Sequence, residues 1–383
     1  MSYYILPKID NEIIVNPISC IEPIKPYISH SVISYYYDVV DQITKTYLNE
    51  NIWSYRNFND IIHIVHPYEY VYSTIPGSKF AVSKIKANTN LFYDFFEISK
   101  TLNIFDGYKK DISMLHITNN NDTVKSVQLL RENWNDSIEL YDDINEETIR
   151  AIGENKYDFI FFETNTTSLN NYIVSFIEIL IILLKNQSCE GSCIIKIKET
   201  FHKPIIDILY LLSSLYDKIH ILKPHTSNII SFDKYVICSN FSRNSCKKNV
   251  LKLNYVKLVL FLKKLNCTNI KSILDIDISY FFITKLNDTN VILCQQQLEA
   301  LDYLINIFSK KKEEKLDNIR KINIQKSIVW CEKYKIPCNR FIEKTNIFLP
   351  INKDLMEDME CMEDMECMEC MESTESTEDV ENK

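Results

Sequence analysis

"GSCIIKIKETFHKPIIDILYLLSSLYDKIHILKPHTSNIISFDKYVICSNF", residues 191–241, is the stretch from which the fold is read. An apolar run, "SCIIKIK" (192–198), reads as a strand. "KPIIDILYLLSSLYDK" (203–218) repeats its apolar residues at helical spacing and carries Pro204 in its first turn, where a missing N–H is tolerated. Two more strand-like runs follow, His220–Leu222 and Tyr235–Cys238. Between them lies a polar loop, Lys223-Pro224-His225-Thr226-Ser227-Asn228, and Asp233 stands at the mouth of the last strand. With no crossover helix between them, these two strands are expected to pair antiparallel.

Upstream, the same alternation continues. "LFYDFFEISKTLNIF" (91–105) is an amphipathic helix, "ISMLHI" (112–117) a strand, and "DTVKSVQLLREN" (122–133) a helix with Asp122 placed to cap it. "SIELY" (137–141) and "YDFIFFE" (157–163) are strands flanking a stretch with room for no further one, and "NNYIVSFIEILIILLKN" (170–186) is a helix. Strand–helix alternation at this spacing predicts an α/β fold: a mostly parallel Rossmann-like sheet, helices on both faces, closed by the antiparallel pair. Four segments result: an N-terminal extension (1–80) with a strand candidate, "DIIHIVHPYEYVY"; a core (81–245); a lysine-rich helical region (246–345); and an acidic low-complexity tail (346–383) of Met-Glu-Asp and Met-Glu-Cys repeats, expected to be disordered.

The totals narrow the class. The chain of 383 residues is 46% hydrophobic, which excludes a globally disordered protein. Its net charge of −9 is carried by the tail: residues 354–383 hold thirteen acids and one lysine, leaving the body at +3, compatible with nucleic acid. Twelve scattered cysteines show no disulfide framework and read as free thiols in a reducing compartment. The N-terminus has no signal-peptide pattern, and the longest apolar run, 173–184, contains Glu178 and reads as a buried helix rather than a membrane span. The expectation is an intracellular, cytoplasmic protein without a membrane partner. Lysine outnumbers arginine 37 to 6, a bias of AT-rich coding that points to a large DNA virus or some protists.

Residues 191–241 closely resemble the C-terminal half of the FtsJ-like RNA ribose 2'-O-methyltransferases, within the class I S-adenosylmethionine-dependent layout. That family reads Gly-Ser-apolar-apolar-apolar-Lys on a strand, then an amphipathic helix, a strand, a Lys-Pro-x-x-Ser loop and an acid before the final strand; all stand here in order. A weaker resemblance extends back to about residue 88. It implies an RNA ribose 2'-O-methyltransferase fold, with the mRNA cap among its candidate substrates, S-adenosyl-L-methionine as cofactor and RNA as partner. It also assigns a lysine–aspartate–lysine–glutamate set that orients the hydroxyl. Position by position, that set falls on Asp94, Glu163, Lys196 and Asp233, so Asp94 stands where the family has its first lysine. Lys84 or Lys86 could replace it under another register. The cofactor positions fall on Thr118, Asn119 and the acids Asp142 and Asp143, and the RNA-facing rim on Lys223, His225 and Ser227.

The residues also depart from the pattern. The family's cofactor loop is glycine-rich, whereas this chain has four glycines in all (77, 107, 153, 191) and none between 108 and 152. One lysine and three acids replace a balanced set, and excess negative charge disfavours an alkoxide. Asp94 also reads as a solvated helix residue, and Lys196 as a lysine snorkelling from a strand end. Three functions stay open: the methyltransferase; an inactive methyltransferase-fold RNA-binding or partner subunit; and a structural or virion interaction protein. No metal is expected: "CMEC" (367–370) has ligand spacing but lies in a repeat without histidines. "KKKEEKLDNIRK" (310–321) and Lys247–Lys248 could track phosphates or form a solvated face.

Overall fold

The computed structural model describes residues 3–45, 63, 65–72, 81–163, 166, 168–241, 247–265, 269–310 and 313–339. Residues 1–339 form one compact unit. The acidic tail and its CMEC motif lie outside the described residues. The chain begins with β1 (Tyr3–Leu6), β2 (Ile18–Cys20) and α1 (His30–Ile43), then α2 (Leu91–Thr101) and β3 (Ser113–Ile117). Next come α3 (Asp122–Leu130), β4 (Ser137–Tyr141), α4 (Glu146–Ile152), β5 (Tyr157–Phe162), α5 (Leu169–Asn186) and β6 (Gln187–Ile197). The remainder is α6 (Lys203–Leu215), β7 (Tyr216–Leu222), β8 (Lys234–Phe241), α7 (Lys247–Lys264), β9 (Asn269–Ser272), α8 (Tyr280–Lys310) and α9 (Glu313–Lys333).

Seven strands make one sheet in the order β1-β7-β8-β6-β5-β3-β4. Strands β4, β3, β5 and β6 are mutually parallel, while β8 runs antiparallel between β6 and β7. The predicted parallel sheet and its antiparallel closing pair are both present, and β4 alone occupies the 134–156 interval. Alternation along each strand builds two cores. Leu115, Ile117, Ile160, Phe162, Cys193, Ile195 and Ile197 face α5 and α6. Met114, Phe159, Phe161 and Ile194 face α2 and α3. A strand buried on both faces has no polar side to show, which is why "DFIFF" and "CIIKI" read as nearly unbroken apolar runs. Helix α5 is long and apolar enough to cross a membrane by length and composition, and two-thirds of it (67%) is buried within the fold. Gly191 is required where β6 passes β5, because a Cβ there would lie 2.8 Å from the Asp158 carbonyl.

The N-terminal segment is woven into the core. Strand β1 extends the sheet antiparallel to β7, β2 pairs with β9 from beyond the core, and α1 packs with α8 in a small apolar cluster. Three expectations change. Among the described residues of "DIIHIVHPYEYVY", 63 and 65 are helical and 69–71 form a 3-10 turn, so the strand is not formed there. Pro67 cannot donate to a ladder, and Tyr70 and Val71 are buried instead against Trp330, Cys331 and Tyr334. The region after 245 includes β9 between its helices. Asp122 does not cap α3: its carboxylate accepts the Asn88 and Thr89 amides at 3.0 and 2.6 Å and the Thr89 hydroxyl at 2.7 Å.

Candidate active site at the carboxyl edge of the sheet

The parallel register assembles the centre. Phe162 is level with Ile195 and with Ile117, so the next residues, Glu163, Lys196 and Thr118, come side by side at the strand ends. Glu163 joins the other two: one oxygen accepts from Lys196 Nζ at 2.7 Å and the other from Thr118 Oγ1 at 2.8 Å. On the far side, Tyr235 of β8 is the cross-strand partner of Lys196, and both share the face covered by α2.

From α2, Asp94 reaches this cluster. Its carboxylate accepts the Thr226 hydroxyl at 2.5 Å and the Tyr235 hydroxyl at 3.0 Å. The alternative of a solvated helix residue is corrected, since Asp94 is only 3% exposed. "FYDFFEI" packs aromatic residues around the acid, and the helix buries it with them. Burial pushes the Asp94 carboxyl up to about 7, against the stabilising pull of Thr226, Lys196 and Tyr235. Burial also opposes the charge on Lys196, but Glu163, Asp233 and Asp94 together hold its pKa above the usual lysine value. Asp233, half-buried at the entry to β8, contributes through this field. Lys84 and Lys86 are exposed upstream of α2, and the Lys84 amide is bonded to Pro337.

The rim loop is pinned inward. The Lys223 ammonium donates to the Ser231 carbonyl; burial lowers its pKa to about 7 despite the opposing field of Asp233. His225 is held by Glu97, which accepts its amide at 3.0 Å and pairs with Nδ1 at 2.6 Å, and Tyr68 lies 4.8 Å from the imidazole. Ser227 is buried and its amide closes a turn onto Pro224. Glu97, Tyr235 and Thr226 were not singled out in the sequence. The available signal was spacing: Glu97 follows Asp94 by three residues and so shares its helix face.

Among the cofactor positions, Thr118 is buried with its hydroxyl committed to Glu163. Asn119 is exposed, and Asn120 accepts the Asp122 amide at 3.0 Å. Asp142 and Asp143 are exposed just past β4, and Asp143 accepts the Ile144 amide at 2.8 Å. A free carboxylate at Asp142 suits a ribose. On the methionine side the residues do not fit S-adenosylmethionine: the loop has asparagine side chains where a close backbone approach is needed, and Asp122 ties the segment before α2 to the start of α3.

No protein-family model matches the chain. It is 23% identical over 127 residues to cap-specific mRNA (nucleoside-2'-O-)-methyltransferase 1 of Leishmania braziliensis, covering 32% of this chain and 31% of that protein. To the protein of the same name in Dictyostelium discoideum it is 27% identical over 128 residues, covering 32% and 16%. These matches support a divergent FtsJ-like methyltransferase resemblance for the core. The Trypanosoma cruzi protein of that name is 36% identical over 52 residues, 13% of this chain and 14% of its own. The match thus spans less than a third of these relatives' length. Similar solved structures include a probable spermidine synthase from Corynebacterium glutamicum, at TM-score 0.31 and 8% identity over 53% of this chain and 88% of that one. Human methyltransferase-like protein 13 in complex with SAH gives TM-score 0.24 and 12% identity, over 49% and 92%. Lys196 lies beside the Glu163 carboxylate, and the position to which the resemblance assigns a first lysine holds a buried acid, Asp94.

Proposed function

We propose that this FtsJ-like core binds RNA at its ribose-acceptor edge without methylating it, and serves as a non-catalytic subunit. Asp94 carries the reading. A ribose 2'-hydroxyl becomes a nucleophile only where positive charge meets its developing oxyanion. Here the Lys196 ammonium shares the site with Glu163, Asp233 and Asp94 and is already engaged by Glu163 at 2.7 Å, while Lys223, in the field of Asp233 and Asp94, is turned onto the Ser231 carbonyl. Ionisation of Asp94 adds negative charge where the resemblance calls for a lysine. The poor fit on the methionine side points the same way. RNA as ligand is supported by relatives named as cap-specific mRNA methyltransferases.

A second reading, SAM-dependent ribose 2'-O-methyl transfer to RNA, is favoured by one observation: the Thr118–Glu163–Lys196 chain is intact. With Asp94 protonated, that set has less excess negative charge. The test is calorimetry of the full chain with S-adenosylmethionine and S-adenosylhomocysteine, alongside RNA binding and methyl transfer to capped RNA. RNA binding without cofactor heat or transfer supports the first reading. Transfer that vanishes in Lys196→Ala establishes the second, and absence of RNA binding overturns the first.

A further inference from the structure

Helix α7, "KKNVLKLNYVKLVLFLKK", contains six lysines and no acid. Its inner side is well used. Leu258 is fully buried, and Leu251, Tyr255, Val259 and Leu262 pack on the main core. Asn254 locks the strap at Ile13–Val15 in place, accepting the Val15 amide at 3.0 Å and donating to the Ile13 carbonyl at 2.8 Å. Lys257 donates to the Val15 carbonyl at 3.1 Å.

The outer side is apolar as well. Leu253, Val256 and Leu260 are 41%, 41% and 50% exposed, at spacings of three and four that put them on one stripe. Lys252 and the pair Lys263–Lys264 are exposed at its two ends. Ile14, 46% exposed, lies on the adjoining strap. A helix whose only task was to cover the core would turn a polar face to water, so a second apolar stripe with a lysine border asks for a cover.

We propose that this outer face of α7 docks an acidic, amphipathic helix of a partner protein. The charge pattern selects that occupant. Apolar residues of the partner at the same three-and-four spacing would meet Leu253, Val256 and Leu260, with its acids beside Lys252, Lys263 and Lys264. Glu12, on the strap beside the first turns of α7, favours acids placed toward the far end of the helix. RNA would gain from the lysines but not from the aliphatic stripe. Helix α7 packs on the core of the α5–α6 face, whereas Asp94 enters the strand-end site from α2 on the other face, so the inference is independent of whether the core transfers methyl groups.

The test uses the full chain and a synthetic helical peptide of leucine and glutamate, with leucines at the three-and-four spacing. A scrambled peptide of identical composition, vesicles of phosphatidylcholine with phosphatidylserine, and a single-stranded RNA are titrated in parallel. The patterned peptide is expected to bind at least about tenfold more tightly than the scrambled one. Leu260→Glu and, separately, Lys263→Glu/Lys264→Glu are expected to weaken it by about tenfold, with added salt weakening it further. An unchanged thermal midpoint in either variant attributes the loss to the surface. Equal binding of the two peptides, no loss in folded variants, or vesicle or RNA binding that depends on Leu253 and Leu260 overturns the proposal.

Discussion

The Tyr235 hydroxyl donates to the Asp94 carboxylate at 3.0 Å, joining the last strand of the sheet to the helix that roofs the strand-end site. Tyr235 is also the cross-strand partner of Lys196, so this contact places an acid beside the site's lysine. A carboxyl in that position is costly to ionise, and burial keeps it protonated up to about pH 7.

A raised carboxyl stabilises the fold below its unfolded pKa, and that contribution disappears as pH rises through the folded value. For Asp94 the window runs from about 4 to about 7. The associated change is on the order of 4 kcal/mol at most. Asp94→Asn removes it. Chemical denaturation at pH 5.5 and pH 8 should show the variant gaining on the native chain as pH rises. A constant difference between the two proteins would sink the assignment.

Removing Lys196 leaves Glu163, 8% exposed, without its counter-charge. Lys196→Met is expected to cost about 3 kcal/mol. Adding Glu163→Gln should recover part of that loss, because it deletes the stranded charge. A double-mutant cycle measures the coupling, and strict additivity would show that the pair contributes nothing.

The clamp between Glu97 and His225 is a statement about loop dynamics. Glu97→Leu removes the acceptor of the His225 amide, and hydrogen exchange at that amide should accelerate by about tenfold or more. Exchange in β5 and β6 should change only as far as global stability does. Unaltered protection at His225 would mean the turn onto Pro224 holds the loop without α2.

Asp122 ties the segment before α2 to the start of α3 by holding Asn88 and Thr89. Asp122→Ala is expected to destabilise the chain by about 2–3 kcal/mol, the scale for losing charge-assisted bonds at a buried site. The denaturation midpoint reports it. A loss below about 0.5 kcal/mol, the level of an ordinary surface change, would contradict the buried role.

Legibility in the sequence followed the range of the interactions. The strands "SIELY" and "YDFIFF" and helices α5 and α6 were readable because apolar periodicity is a local property. Strand β1, four residues long, and β2, three, carry no such signal; they form because β7 and β9 offer open edges. The "HIVHPYEYVY" stretch has strand composition, but burial of Tyr70 and Val71 against α9 settles its shape.

The sequence by itself determined the parallel sheet, its antiparallel close, the resemblance to the FtsJ-like family and the acid at position 94, because each rests on residue type and order. Tertiary structure alone decided that Asp94 is buried rather than solvated, that Glu163 is shared by Thr118 and Lys196, and that the rim loop faces inward onto Ser231 and Glu97. These are contacts between residues 33 to 132 positions apart or across a loop. Their charge states follow from burial that only the packed fold creates.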